Sequence, residues 1–501
     1  MDFTAHSNLV SAETVAFFKK QHSMFIDGKW VDAVGGARLD VHDPADEKHI
    51  GTVPAGDQKD IDLAVAAARR AFESGDWHDM RPAQRERLLL KLADLVEANA
   101  QSIAEIESID NGKSVMVARY VDVALTVDFF RYMAGWATKI EGSTNDLSAP
   151  FAPAATFVSF TRKEPVGVVG AIVAWNFPLL LAAWKLGPAL ATGCTVVLKP
   201  AEQTPMSALR LGELIEEAGY PAGVVNIVTG FGHSAGAALS SHPGINKITF
   251  TGSTVVGKMV GTAAIANMTR ISLELGGKSP IIVLDDCDPA VAAAGAAQAI
   301  FFNAGQVCCA GSRLYVDKKN FDRVVSDLSD IAGKMKVGHG LDPANELGPL
   351  VSRVQMERVV SYIGSGIEQG ATVATGGARS GSTGFFVKPT VLVDVNPKMR
   401  VVAEEIFGPV LVAMPYDDLD QVAAWANETP YGLGASIWSN DLSRVHRLIP
   451  KIKAGTIWVN CHSILDSAMP FGGFKQSGFG REMGKACLDA YTESKSVIMS
   501  V

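Results

Sequence analysis

Short apolar runs alternate with helical segments between residues 167 and 252, and this alternation constrains the fold more than any other feature. The apolar runs are "GVVGAIVAW", "GCTVVLKP", "GVVNIVTG" and "NKITFTG". Segments with helical spacing, such as "SALRLGELIEEAG", separate them. Strands that alternate with helices are typical of a parallel sheet covered by helices. The sequence therefore predicts an α/β fold.

A second α/β series begins near "SLELGGKSPIIVLDD" and continues to "GTIWVNCH". Within it, Asp288 followed by Pro289 predicts the first turn of an alanine-rich helix. A chain of 501 residues is longer than one core usually supports, so we expect two or three domains. The final segment "SKSVIMSV" favours a strand that pairs with another element or with another subunit.

The segment from Pro165 to Trp184 contains no charged residue and is long enough to span a bilayer. Asn176 and Pro178 lie within it, which favours a buried strand, a turn and a helix over a membrane span. The net charge of −8 argues against nucleic acid or an anionic membrane as a partner. Six cysteines without C-x-x-C or zinc-ligand spacing indicate a reduced, cytoplasmic protein without a metal site.

Two adjacent cysteines, Cys308 and Cys309, lie in "FFNAGQVCCAG" after a long predicted helix. Adjacent cysteines seldom form a disulfide, because the ring that they would close is strained. A cysteine in such a turn can be a nucleophile when it is ionised to the thiolate. Considered alone, the pair is explained more simply as two small buried apolar side chains.

Two polar residues follow apolar strands, at positions that suit catalysis. Glu274 ends the strand in "ISLELGGKSP", where partial burial would raise the carboxyl pKa and suit a general base. Asn176 follows the strand in "AWNFP", where a fixed amide can stabilise an oxyanion. The simpler alternatives are a surface glutamate and an ordinary turn asparagine.

Other strand ends have features of a dinucleotide site. Lys199 ends the strand in "VLKPAEQTP", and Glu202 follows three residues later. An acid at this place can bind ribose hydroxyls and repel a 2′-phosphate. In "ITFTGSTVVGKMV", Gly252 and Ser253 precede a helix whose N terminus can hold a phosphate. A third segment, "VTGFGHSAG", is a weaker signal because its glycines do not follow the usual G-x-G-x-x-G spacing.

Together these segments resemble the NAD(P)-dependent aldehyde dehydrogenase superfamily over roughly residues 24 to 499. The most specific motifs are "LELGGKSP", "FFNAGQVCCAGSR" and "PFGGFKQSGFGRE", in this order. The resemblance implies a Rossmann-type dinucleotide-binding domain (residues 1–142 and 166–276), an α/β catalytic domain (277–475) and a small β extension for oligomerisation (143–165 and 476–501). Exposed strand edges in that extension need partners, which implies a homodimer or homotetramer.

The resemblance also implies a mechanism through a thioester. Cys308 attacks the aldehyde, and Asn176 together with the Cys308 backbone N–H holds the oxyanion. NAD accepts a hydride, and Glu274 activates the water that hydrolyses the thioester to a carboxylic acid. Glu482, in "GRE", matches a position proposed for proton relay. Relatives that transfer the acyl group to coenzyme A lack the acid at 274, so its presence favours hydrolysis.

The remaining site residues are likewise implied by the resemblance. The cofactor set is Trp175, Lys199, Glu202, Gly232, Gly236, Gly252, Ser253, Glu405 and Phe407. In this set Glu202 favours NAD over NADP, Ser253 contacts the pyrophosphate and Glu405 holds the nicotinamide ribose. The substrate set is Phe177, Leu180, Trp184, Phe302, Val307, Cys309, Leu465 and Phe471. These apolar and aromatic side chains suit a hydrophobic aldehyde.

The substrate is less constrained than the reaction. "RYMAGWATKIEGSTNDLSAP" and "WVNCHSILDSAMPFGGFKQSG" look most like the corresponding stretches of enzymes that oxidise phenylacetaldehyde. Asp466 is next to Leu465 of the substrate set and could instead favour a betaine-type or amino aldehyde. An aliphatic aldehyde is a further alternative. Ala174 departs from the proline that many relatives have before the Trp-Asn pair. A non-catalytic NAD-binding or structural protein would lack the nucleophile or the base, whereas Cys308 and Glu274 are both present.

Overall fold

The computed structural model describes residues 8–501; the first seven residues, which belong to the predicted segment 1–142, lie outside the described residues. The helices are α1 (Ala12–Lys19), α2 (Gln58–Glu73), α3 (Pro82–Ala98), α4 (Ala100–Asn111), α5 (Val115–Val117), α6 (Ala124–Ala134), α7 (Pro178–Thr192), α8 (Met206–Ala218), α9 (Ala237–Ser241), α10 (Thr254–Ile265), α11 (Pro289–Phe301), α12 (Phe321–Lys334), α13 (Arg353–Glu368), α14 (Arg400–Ala403), α15 (Leu419–Asn427) and α16 (Leu442–Leu448). The strands are β1 (Met24–Ile26), β2 (Lys29–Val31), β3 (Arg38–His42), β4 (His49–Pro54), β5 (Phe157–Pro165), β6 (Val168–Ile172), β7 (Thr195–Lys199), β8 (Val225–Ile227), β9 (Lys247–Thr251), β10 (Arg270–Glu274), β11 (Ser279–Val283), β12 (Gly311–Asp317), β13 (Thr372–Thr375), β14 (Thr390–Val393), β15 (Val410–Tyr416), β16 (Gly434–Trp438), β17 (Thr456–Val459), β18 (Gly478–Phe479) and β19 (Thr492–Ser500). Two π-helical segments, Ala118–Val123 and Gly232–Gly236, precede α6 and α9.

The first large sheet has the order β18-β10-β9-β6-β7-β8-β1-β2. Its five central strands, β6 to β10, are parallel. The chain adds β7 and β8 on one side of β6 and then crosses to add β9 and β10 on the other side. Open α/β sheets bind ligands at such a reversal, beyond the carboxyl ends of the strands. The four apolar runs of the sequence are β6, β7, β8 and β9, and the predicted α/β fold is confirmed.

The second large sheet has the order β13-β14-β15-β12-β11-β16-β17, and every neighbouring pair except β13–β14 is parallel. Helix α11 covers one of its faces and begins as predicted. Asp288 accepts a hydrogen bond from the Ala290 backbone N–H at 2.9 Å, and Pro289 is the first helical residue.

The uncharged run from Pro165 to Trp184 is a buried strand and a buried helix. All five residues of β6 and all fifteen of α7 are buried. A helix that contacts protein on every side needs no polar face, which explains the composition of this run. Within residues 8–501, no helix combines the length and the apolar character that a membrane span requires.

The last strand, β19, pairs antiparallel with β5 from Thr492–Pro165 to Ser500–Phe157, so the predicted C-terminal strand is confirmed. The short strand β18 instead pairs with β10 in the first sheet. Residues near 478 therefore contact the first sheet, although the predicted extension begins at 476. The domain boundaries stay a prediction.

Candidate active site

A cavity of about 260 Å³ lies where the carboxyl ends of the first sheet face the amino ends of the second. Its walls include segments that follow β6, β9 and β10 and segments that precede β12 and β15. Sixteen of the predicted site residues line it. They are Cys308, Glu274, Asn176, Trp175, Gly252, Ser253, Glu405, Phe407, Phe177, Leu180, Trp184, Phe302, Val307, Cys309, Leu465 and Phe471.

Cys308 lies in the connection between α11 and β12. Upstream of Cys308, the residues Asn303 and Ala304 have a left-handed backbone conformation, with φ of 49° and 54°. Such a conformation costs about 1–3 kcal/mol per residue and persists only where surrounding contacts enforce it. Contact with the Cys309 thiol, burial, and the nearby carboxyls of Glu274 and Glu405 raise the pKa of Cys308 well above its usual range. The thiol therefore needs a base before it can act as a nucleophile.

Asn176 brings a buried amide to the same loop. The residue follows β6 and is only 3% exposed. Its Nδ2 donates a hydrogen bond to the Gln306 carbonyl oxygen at 3.0 Å, two residues before Cys308. An amide N–H at this place can also donate to an oxygen on a carbon bonded to the sulfur.

Glu274 ends β10 and is 5% exposed. Burial and, second, the charge of Glu482 raise the pKa of its carboxyl well above the usual range. Its Oε2 has no hydrogen-bond partner within residues 8–501. A Cβ on Gly472, whose φ is +158°, would lie 2.7 Å from Glu274 Oε1, so this glycine leaves space for the carboxyl. A buried, unpaired carboxyl suits a group that takes a proton from water.

Glu482 does not line the cavity but is buried behind Glu274. Its Oε1 forms an ion pair with the fully buried Lys185 of α7 and accepts a hydrogen bond from Thr249 Oγ1 at 3.3 Å. Its backbone exchanges two hydrogen bonds of 2.8 Å with Phe471 in the cavity wall. This second carboxyl is therefore held by a cation, unlike Glu274.

Glu405, Trp175 and Phe407 lie on another side of the cavity. Glu405 accepts a hydrogen bond from the Gly277 backbone N–H at 3.0 Å, and burial raises the pKa of Glu405 to about 7. A Cβ on Gly276 would lie 2.2 Å from Glu405 Oε2, so only glycine allows this approach. The rings of Trp175 and Phe407 are perpendicular, with centroids 5.1 Å apart.

Four predicted cofactor residues form a separate group outside the cavity. Lys199 Nζ lies 2.9 Å from Glu202 Oε2, and the Gly232 backbone N–H donates to Glu202 Oε1 at 3.4 Å. The Cβ position of Gly236 is 3.9 Å from Lys199 Cδ. Burial alone would raise the pKa of Glu202, but Lys199 and the hydrogen bonds hold it below the usual range. An ionised carboxylate here can accept hydrogen bonds from the two hydroxyls of a ribose.

Helix α10 begins at the cavity. Ser253 is its N-cap and accepts a hydrogen bond from the Val256 backbone N–H at 3.3 Å, so the helix predicted to follow Gly252 and Ser253 is confirmed. Other N–H groups of the first turn have no partner within the helix and can bind a phosphate. The carboxylates of Glu202 and Glu405 can accept hydrogen bonds from ribose hydroxyls, and the N terminus of α10 can donate to a phosphate. This set of donors and acceptors fits NAD.

The eight predicted substrate residues all line the cavity. The rings of Phe177 and Phe302 are stacked, with centroids 6.2 Å apart and planes at 22°. Trp184 and Phe471 lie 5.6 Å apart at 52°. These side chains come from α7, from the turns before it and after α11, and from the segment after β17. They form a continuous apolar wall beside Cys308.

Ten further lining residues were not predicted from the sequence as site residues, among them Val121, Leu125, Gln355, Arg358 and Ser463. Val121 and Leu125 belong to the π-helical segment and to α6, where the sequence gives no sign that they face a cavity. From α13, Gln355 Nε2 donates to the Phe407 carbonyl at 2.8 Å and Arg358 Nη2 donates to the Glu405 carbonyl at 2.9 Å. Only the folded chain brings this helix to the site.

Asp466 is exposed and does not line the cavity, although its neighbour Leu465 does. Its Oδ1 accepts a hydrogen bond from the Ala468 backbone N–H at 2.8 Å. This is the bond by which an aspartate stabilises its own turn. The carboxylate therefore has a structural role in the loop.

Comparison with known proteins gives one consistent family. The model of the aldehyde dehydrogenase family matches residues 30–497. Phenylacetaldehyde dehydrogenase from Pseudomonas fluorescens is 50% identical over 481 residues, which is 96% of both chains. The NAD⁺ complex of an aldehyde dehydrogenase from Bacillus cereus is 48% identical with a TM-score of 0.96, and covers 98% of this chain and 99% of that one. Betaine aldehyde dehydrogenase from Staphylococcus aureus is 38% identical with a TM-score of 0.93, and covers 96% and 97%.

Proposed function

This chain belongs to the aldehyde dehydrogenase family and oxidises aldehydes with NAD, and we propose that its substrate is an aromatic aldehyde of the phenylacetaldehyde type. The observation that carries the proposal is the apolar wall beside Cys308, with its stacked pair Phe177 and Phe302. Aromatic rings favour offset-stacked and edge-to-face neighbours, so a phenyl group gains more from this wall than a straight alkyl chain does. The Pseudomonas fluorescens relative, half identical to this chain, is named for that substrate.

In the proposed mechanism, Cys308 first loses its thiol proton to a water molecule, and the thiolate Sγ then bonds to the aldehyde carbon. The Asn176 amide then exchanges the Gln306 carbonyl for the developing oxyanion, with the Cys308 backbone N–H as a second donor. NAD, when bound, supplies the acceptor for the hydride that leaves the same carbon. Glu405, Trp175, Phe407 and Ser253 would hold it near Cys308, with Lys199 and Glu202 at the adenosine end.

Glu274 completes the proposed reaction as the base for thioester hydrolysis. In its ionised form it removes a proton from water, the hydroxide attacks the thioester carbon, and the Cys308 thiolate leaves with a carboxylic acid as product. Glu482, with its partner Lys185, lies behind Glu274 and would receive the proton. The raised pKa of Glu274 makes it a stronger base than an exposed glutamate.

We also propose a preference for NAD over NADP. The Glu202 carboxylate is ionised and paired with Lys199, so a 2′-phosphate at this place would face a negative charge. This preference rests on Glu202 and is independent of the chemistry at Cys308.

The alternative of a cationic aldehyde has less support in this chain. The betaine aldehyde dehydrogenase of Staphylococcus aureus has the same fold, so the fold alone does not exclude it. However, Asp466 is engaged with its own turn, and the only carboxylates lining the cavity within residues 8–501 are Glu274 and Glu405. A cation that lies against the aromatic side chains of the apolar wall would therefore lack an acidic partner from that wall.

The test is a comparison of kcat/KM for phenylacetaldehyde, hexanal and betaine aldehyde, with each rate measured as the increase in NADH absorbance. We expect phenylacetaldehyde to exceed the others by at least about tenfold, which corresponds to about 1.4 kcal/mol. Cys308→Ala is the control and should form no NADH with any of them. A preference for betaine aldehyde would contradict the substrate proposal, and turnover by the Cys308→Ala variant would contradict the mechanism.

A homodimer or homotetramer in the cytoplasm completes the proposal. The β5–β19 ribbon exposes Val158, Ile498 and Met499, which a partner subunit would cover. All six cysteines, which lie within residues 8–501, are unpaired, as expected in a reducing compartment. Light scattering coupled to gel filtration tests the assembly, and a monomer at micromolar concentration would contradict it.

A further inference from the structure

The turn that carries Asn176 is held by side chains from the end of α4, 64 and 63 residues earlier in the chain. Asn111 Nδ2 donates to the Trp175 carbonyl oxygen at 2.7 Å, and Lys113 Nζ donates to the Asn176 carbonyl oxygen at 2.9 Å. The Leu179 backbone N–H donates to Glu107 at 3.4 Å. Both carbonyls of the turn and the first turn of α7 are thus fixed to one helix end.

Lys113 is buried together with two carboxyls. Its side chain and those of Glu107 and Asp122 have no exposed surface. Its Nζ lies 3.0 Å from Glu107 Oε1 and forms a close ion pair with Asp122. The same ammonium lies 4.3 Å from the centroid of the Phe177 ring. Lys113 thus contacts the residue proposed to hold the oxyanion and a residue of the proposed substrate wall.

Stability alone does not account for this triad. Removing charged groups from water costs several kcal/mol per ion, and well-packed apolar side chains of similar volume often serve a core equally well. What an apolar side chain cannot do is donate a hydrogen bond to the Asn176 carbonyl. The arrangement is therefore explained by the position that it gives to the turn.

We propose that Lys113, held by Glu107 and Asp122, is the positioning residue for Asn176. By fixing the carbonyl of Asn176, it sets the orientation of that peptide and hence the direction in which the amide side chain reaches the Cys308 loop. Asn303 Nδ2 donates to the same carbonyl at 3.1 Å but comes from the strained turn before Cys308. The inference rests on the proposed function, because it assumes that Asn176 holds the oxyanion.

The size of the effect follows from how exact oxyanion geometry must be. A donor acts at about 2.7–3.1 Å from the oxyanion, and removing one donor costs about 10²–10³-fold in kcat. A displacement of about 1 Å costs about 10²-fold. Losing Lys113 loosens Asn176 without removing it, so we expect kcat to fall about 10- to 100-fold.

The experiment is a double-mutant cycle of Lys113→Met and Asn176→Ala, assayed with phenylacetaldehyde at saturating NAD. We expect each single variant to lower kcat, and Lys113→Met to cost less than about threefold when Asn176 is already alanine. The KM for NAD should change less than about twofold in Lys113→Met, because the Lys199–Glu202 group is intact. The control is Arg210→Met, which breaks an ion pair of 2.6 Å with Glu213 away from the cavity and should leave kcat unchanged.

Two controls separate the possible failures. If Lys113→Met does not fold, the combined variant with Glu107→Gln and Asp122→Asn removes the buried charges together, and the same cycle is run on it. Losses that multiply in the double variant would overturn the inference, because Lys113 would then act independently of Asn176. An unchanged kcat in Asn176→Ala would instead overturn the oxyanion role in the proposed function.

Discussion

Glu274 and Glu202 lie at or just beyond the carboxyl ends of strands in the same sheet, yet their surroundings give them opposite properties. Glu274 is buried with an oxygen that has no partner, and its pKa is raised well above the usual range by burial and by Glu482. Glu202 is half-buried with Lys199 at 2.9 Å, and its pKa is lowered. Burial thus favours the protonated form of Glu274, whereas Lys199 favours the ionised form of Glu202.

This difference indicates how one sheet edge can supply both a base and a ribose ligand. A general base must have a high affinity for a proton, and a buried carboxyl without a cationic partner has this property. A ligand for hydroxyls must stay ionised, so a nearby cation suits it. The distinction lies in the neighbours that the fold supplies, since both residues are glutamates.

The sharpest way to break the comparison is to remove each carboxylate in turn. Glu274→Gln should lower steady-state kcat by about 10²–10⁴-fold, because the general base for hydrolysis is lost. The first turnover should still release NADH as a burst, because Cys308 and Asn176 are unchanged. Stopped-flow absorbance at saturating aldehyde separates the two phases. Glu202→Gln is the matched control and should keep its steady-state kcat at saturating NAD; a full steady-state rate in Glu274→Gln would refute the base role.

The second prediction concerns pH and has opposite signs for the two residues. The folded-state pKa of Glu274 is raised, so its contribution to stability is present at low pH and is lost as pH rises towards that pKa. The pKa of Glu202 is lowered, so its contribution is present above the unfolded-state pKa and is lost on acidification. In the wild type, the ionised fraction of Glu274, and with it the hydrolysis rate, should rise with pH by up to about tenfold per pH unit as long as the pH is below the pKa of Glu274.

Urea unfolding of the wild type, Glu274→Gln and Glu202→Gln from about pH 4 to about pH 9 checks these signs. Relative to the wild type, Glu274→Gln should gain stability as pH rises, whereas Glu202→Gln should lose it. Parallel curves for the two variants would contradict the contrast in their environments.

The sequence predicted the strands of this sheet edge well and their surroundings poorly. Cys308, Glu274 and Asn176 were singled out because each follows a recognisable strand or helix, and motifs carry such residues together. The neighbours that shape the surroundings of Glu274 and Asn176 lie far away in the chain: Gly472 beside Glu274, and Lys113 beside Asn176. No local pattern marks Lys113, because a lysine after a helix is usually exposed. Only the packing of α4 against the π-helical segment Ala118–Val123, together with the turn before α7, gives it a buried position.

A third prediction sharpens the comparison at Glu202. Replacing it by glutamine removes the negative charge while keeping the shape of the side chain. We expect kcat/KM for NADP to rise about tenfold and that for NAD to fall by a similar factor, because the repulsion of a 2′-phosphate and the hydrogen bonds to the ribose are both weakened. Initial rates with the two cofactors measure this directly. Glu274→Gln should leave the preference between NAD and NADP unchanged. If the ratio of kcat/KM for NAD to that for NADP were unaltered in Glu202→Gln, the assignment of Glu202 to the ribose would be contradicted.

The smallest effect is expected at a third carboxylate, Asp466, which is exposed and lies outside the cavity. Its hydrogen bond to the Ala468 backbone N–H stabilises a loop next to Leu465 in the cavity wall. Asp466→Ala should therefore lower thermal stability slightly and change the kcat/KM ratio of phenylacetaldehyde to betaine aldehyde by less than about twofold. Asp466→Asn, which keeps the turn but removes the charge, is the control and should match the wild type in both respects. If both variants lost betaine aldehyde oxidation selectively, the Asp466 charge would be a determinant of substrate choice. Asp466 would then act on the substrate, as Glu274 is proposed to do, and would not be limited to stabilising its own loop.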